Sequence, residues 1–80
     1  MPEVRRHSLP PAVFRHLLDR IQLREISADQ LALLAEWLDS NPIVPDGEWF
    51  KRFSGMIVCG EGELVKTILT TNQAPYGEEV

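Results

Sequence analysis

The first place to look for chemistry in this 80-residue chain is "CGEGE", Cys59 to Glu63. It holds the only cysteine, with two glycines and two carboxylates. A thiol attacks as its thiolate, which a neighbouring cation or imidazole favours and a carboxylate opposes. Glu61 and Glu63 are the charged residues nearest in sequence, and no histidine or cation stands beside them. The stretch therefore reads as a buried free cysteine closing a strand, then a solvated turn. Glu61 and Glu63 are candidates for contact with a basic partner. A phosphate cradle is excluded, because Gly-Glu-Gly lacks the Lys and Ser/Thr of a P-loop and its carboxylates repel phosphate.

The remaining chemical groups do not combine. Cys59, His7 and His16 have no paired spacing of the kind a tetrahedral zinc site uses. The carboxylates do not follow the calcium-loop pattern. His16 falls on the flank of a helix, and two histidines at one end of the chain support no Ser/His/Asp arrangement. The expectation is a protein without metal or cofactor, and not an enzyme.

The second candidate is "GEWFKRFSG", Gly47 to Gly55, where three aromatics and two cations occupy five consecutive positions. Aromatic rings with basic neighbours can stack bases and hold phosphates. Against this, Asp46 and Glu48 sit beside the cations, and no RNP-like, KH-like or zinc-knuckle pattern accompanies the rings. In either a strand or a helical turn at least one ring enters the core, with the cations lying along the rings and their heads in water.

These groups must be positioned by few elements. Pro10 and Pro11 place a helix start at about Pro11, and Phe14, Leu17, Leu18 and Ile21 follow the spacing of one buried helical face to about Arg24. His16, Arg20 and Arg24 form a basic stripe on its flank. Ser27 and Gln30 read as a capping box, with Ile26 and Leu31 as its hydrophobic staple. Leu31, Leu34, Ala35 and Leu38 then make an apolar seam that Leu33 and Trp37 widen. A face that broad meets two neighbours. Pro42 ends this second helix by Ser40.

After Asn41 the chain turns to β chemistry. Pro45-Asp46-Gly47 is a turn. "MIVC" (56–59) and "LVKTIL" (64–69) read as a hairpin with "GEGE" as a four-residue loop. A short helix over 63–70 is the competing reading, and the β-branched residues favour the strand. The fold class is α+β, with an N-terminal two-helix hairpin on a small C-terminal antiparallel β-hairpin or three-stranded sheet. Residues 1–10 form a loosely ordered basic arm, 11–70 the single domain, and 71–80 an acidic tail.

The net charge of −4 is unevenly spread. Residues 1–24 hold five arginines against Glu3 and Asp19, a net of +3, while 25–80 hold three cations against ten carboxylates, a net of −7. No apolar run approaches the ~20 residues that span a bilayer, the N-terminus has no apolar signal core, and a single cysteine suits a reducing compartment, so a cytoplasmic protein is expected.

Two function classes remain. The first is a non-catalytic protein–protein interaction module, such as a small adaptor, inhibitor or antitoxin-like regulator. It would bind another protein, basic in character, or itself as a homodimer, through Trp37, Trp49, Phe50, Glu61 and Glu63. An open strand edge would add a further contact. The second, disfavoured by the acidic body, is a small nucleic-acid binder using Arg5, Arg6, Arg20, Arg24, Lys51 and Arg52 with the aromatic segment as platform.

Overall fold

The computed structural model describes residues 3–4 and 9–80. The fold is α+β: two helices, α1 (Pro11–Gln22) and α2 (Asp29–Asp39), precede four strands, β1 (Glu48–Arg52), β2 (Ile57–Glu61), β3 (Leu64–Leu69) and β4 (Glu78–Glu79). Strand order is β3-β2-β1-β4. The first three strands form an antiparallel meander, and β4 joins β1 in parallel.

α1 begins where expected, with Pro10 extended at the cap and Pro11 at the first helical position. Its missing N–H is one of the donors a helix start leaves unpaired in any case. The helix ends at Gln22, two residues early, because Arg24 adopts φ +61°. That left-handed turn lets Glu25 N–H donate to Arg20 O at 3.0 Å, closing the last turn. The basic stripe is thereby broken, since Arg24 lies beyond the helix.

The capping box does not form. α2 starts at Asp29, and Ser27 Oγ bonds the Asp29 carboxylate instead. Gln30 turns inward and is 3 % exposed. Its Nε2 donates to Ser54 Oγ at 3.0 Å, and its Oε1 accepts from Gly55 N–H at 2.9 Å. A buried amide is stable only when its donors and acceptor are used, and the β1–β2 turn uses them. Gln30 thus ties α2 to the sheet rather than to its own N-terminus.

One sheet face and the helices enclose the core: Val4, Leu17, Ile26, Leu34, Leu38, Val44, Trp49, Met56, Val58, Val65 and Ile68. Trp49, Gly60 and Val65 are opposite one another across three strands. A Cβ on Gly60 would lie 2.3 Å from Trp49 Cζ2, so the glycine is the floor on which the indole rests. It is a strand residue for that reason, and the hairpin loop shrinks from the expected four residues to Gly62-Glu63. Residues 64–69 are strand, with a bulge opposite Cys59/Gly60, and the helical alternative falls.

Both termini depart from expectation. Val4 is fully buried, its N–H donates to Pro42 O at 3.0 Å, and Glu3 bridges Ile43. The expected loose arm is therefore pinned at these two residues. At the other end the tail is a sheet strand: β4 sits at the edge opposite β3, so 70–77 cross beneath the second face. That strand makes the sheet four-stranded and mixed rather than two- or three-stranded and antiparallel.

Candidate functional site

The two helices do not close on each other. α1 lies against β3, α2 is held to the β1–β2 turn by Gln30, and between them opens a groove of about 500 Å³. Leu9, Pro11, Phe14, Leu31, Leu34, Ala35 and Leu38 line it. Among the described residues every lining side chain is apolar. Phe14 and Leu18, expected in the core, are each 38 % exposed, and of the expected α1 face only Leu17 is fully buried. The seam is too wide for one contact, as its breadth on both helices indicates, and among the described residues no second neighbour covers it. α2, one wall of the groove, carries Asp29, Glu36 and Asp39 and no cation.

Beside α2, on the far side from the groove, a shallow depression is lined by Leu33, Glu36, Trp37, Ser40, Lys51, Arg52 and Phe53. Trp37 is half-buried, its ring 5.7 Å from Trp49 and edge-on to Phe53 at 6.0 Å. Lys51 Nζ lies 5.9 Å over the Phe53 ring, and Arg52 lies 5.4 Å over Phe50. Each charged head therefore lies over an aromatic face, the arrangement in which a ring's quadrupole attracts a cation.

Of the expected partner contacts, Trp37 remains at the surface. Trp49 is fully buried, with Nε1 donating to Gly62 O at 2.8 Å, and Phe50 is 9 % exposed. Both are withdrawn as contact residues, and as stacking platforms. The reason is the strand register, which aims Trp49 at the helices, while Phe50 faces the other side under the tail. Glu61 is exposed and paired with Lys66 at 3.2 Å, and Glu63 is exposed in the turn. The proposed nucleic-acid set is not assembled among the described residues. Arg20 pairs with Glu25 at 3.6 Å and Arg52 with Glu79 at 3.7 Å. Arg24 is off the helix, Lys51 lies on Phe53, and Arg5 and Arg6, like His7, fall outside the described residues.

Cys59 sits half-buried on the second sheet face. It lines a hollow with Glu48, Lys66, Thr67, Leu69, Gln73, Ala74 and Tyr76. Burial pushes its thiol pKa up, the reverse of what a nucleophilic thiolate requires. Lys66, a cation of the same hollow, is engaged by Glu61. Among the described residues no three His, Cys, Asp or Glu side chains converge to hold a metal ion, and no helix is long and apolar enough to cross a membrane.

Compared with known proteins, the chain matches no family profile, no curated protein and no solved structure. The groove is the feature sequence reading missed. Its signal was present in two helical seams that together carry more apolar positions than one contact between them can cover.

Proposed function

We propose that this protein is a non-catalytic protein–protein interaction module, of the adaptor, inhibitor or antitoxin-like kind, and that the α1–α2 groove receives apolar side chains of another protein. One observation carries the reading: a concavity lined, among the described residues, by Leu, Pro, Phe and Ala side chains opens between two helices. Exposed apolar surface costs free energy in water, and concave apolar patches on small proteins mark contact surfaces. A groove between helices suits an amphipathic helix, whose i, i+3, i+4 and i+7 residues would enter it. The acidic α2 wall favours a partner with basic residues beside its apolar stripe. Trp37 and Phe53 line a separate shallow depression on the other side of α2, and aromatics are among the residue types that dominate binding energy elsewhere.

The test compares the wild type with Phe14→Asp and Ala35→Arg, which charge the two walls. Neither replaces a fully buried residue, so thermal stability is expected to stay close to wild type. Solution mass and affinity capture are then measured on all three. A partner or self-association lost in both groove variants, and kept in Arg20→Glu/Arg24→Glu, supports the reading. Salt-sensitive binding of labelled nucleic acid that the arginine variant abolishes and the groove variants leave intact would replace it with the nucleic-acid reading.

A further inference from the structure

α1 presents two apolar faces. One, formed by Val13, Leu17 and Ile21, packs on the core, with Leu17 fully buried. The other is the row Pro11, Phe14 and Leu18, spaced i, i+3 and i+7. All three are exposed, Phe14 and Leu18 by 38 % each. That spacing is the row of anchors with which an amphipathic helix fills an apolar groove. Pro11 and Phe14 also line the groove itself, so the row stands at its rim.

Charge divides between the same two helices. α1 carries Arg15 and Arg20 against one carboxylate, Asp19. Arg20 lies 3.6 Å from Glu25, while Arg15, next to Phe14, is exposed. α2 carries Asp29, Glu36 and Asp39 and no cation. The groove calls for a helix with an apolar row and a basic residue beside it, and α1 of this chain has both. A surface that holds a groove and the helix that fits it is self-complementary, and a two-fold axis satisfies both halves at once.

We propose that the occupant of the groove is a second copy of this chain. In a two-fold dimer, α1 of each copy seats Phe14 and Leu18 in the groove of the other, against Leu31 and Ala35, with Arg15 beside the other copy's acidic α2. This assignment rests on the groove being a contact surface, as proposed above, and fixes what fills it. Phe14 is the central anchor, an aromatic entering an apolar recess, where interface energy concentrates.

The experiment is sedimentation of the full chain from about 1 μM to about 1 mM, a range that spans moderate to weak dimers. The wild type is expected to approach twice the chain mass as concentration rises. Phe14→Asp and Ala35→Arg are each expected to stay monomeric, because each sets two unpaired charges into apolar contacts. Mixed in equal amounts, the two variants are expected to recover the dimer mass. One half of the mixed contact keeps Phe14 on Ala35, and the other sets the new carboxylate on the new guanidinium. Arg15→Glu, at an exposed position, is expected to weaken the dimer about fivefold. A wild type still monomeric at the highest concentration overturns the assignment, as does a mixture that stays monomeric while the wild type dimerises. In either case the groove remains a contact surface for a different protein if Phe14→Asp loses capture of that protein. A wild-type dimer that neither variant weakens places the contact elsewhere and removes both readings. Should a variant fail to fold, dilution of the wild type followed by amide NMR decides. Shifts are expected at Phe14, Leu18 and Ala35, and shifts confined to the sheet, or none, overturn the assignment.

Discussion

Gly60→Ala tests the packing that locates the candidate surface. The new Cβ would stand 2.3 Å from Trp49 Cζ2, 2.7 Å from Cε2 and 2.6 Å from Leu64 O. Ordinary contact between such atoms begins near about 3.5 Å, so either the indole or β3 must move by roughly 1 Å. Neither is free to do so. The indole is fully buried, bonded to Gly62 O, and backed by Trp37 at 5.7 Å, and β3 is held by its register with β2. The cost therefore falls at the upper end of overpacking effects, about 3 kcal/mol. For a domain this small that lowers Tm by about 12–24 °C. Urea and thermal unfolding measure it directly. Trp49→Phe removes Cζ2, the closest atom, at the expense of the Nε1 hydrogen bond. In the double variant the two costs are expected to fall short of their sum by at least about 1 kcal/mol. Strict additivity, or a Gly60→Ala loss below about 0.5 kcal/mol, would show that the indole does not rest on this glycine.

Three further substitutions or conditions probe other parts. Gln30→Ala leaves the Gly55 N–H without its partner and is expected to cost about 2 kcal/mol in denaturant melts, with faster exchange at the β1–β2 turn as its local signature. Arg24→Gly relieves a left-handed non-glycine residue at the α1 terminus and is expected to raise stability by about 1 kcal/mol, whereas a decrease would mean that the Arg20–Glu25 turn depends on the Arg24 side chain. Burial raises the Cys59 pKa, so the folded state holds its proton to higher pH than the unfolded chain. Stability is then unaffected by this group below the ordinary thiol value of about 8.5 and falls as pH rises through the folded value. Cys59→Ala should flatten that alkaline loss, and iodoacetamide should label native Cys59 more slowly at pH 8 than it labels the urea-unfolded chain.

The fold class was legible because local signals agreed. Two prolines fix where α1 starts, and Pro42 fixes where α2 must end. Runs rich in Val and Ile, with turn residues between them, mark β2 and β3. Where reading failed, one residue had two local uses and the tertiary structure chose. Gln30 satisfies the capping-box spacing, but a buried turn with an unpaired N–H competes for its amide and wins. Gly60 has the composition of a turn, but a large ring needs a residue without a Cβ beneath it. A glycine inside a strand often marks such a close approach, so this was the one available warning.

The candidate surfaces were less legible than the fold, for a physical reason. Periodicity reports that Phe14, Leu18, Leu31 and Ala35 belong on apolar faces. It cannot report what covers them. Among the described residues Leu17 and Leu38 are buried, while Phe14 and Ala35 line an open groove. At the other end the tail pairs with β1 at two positions, beside one exposed ion pair. A partner seated in the groove must raise Tm by mass action, and where that partner is a second copy, Tm must rise with the concentration of the protein itself. Phe14→Asp should abolish that dependence. A Tm that rose with concentration in Phe14→Asp as well would place the self-contact outside the groove.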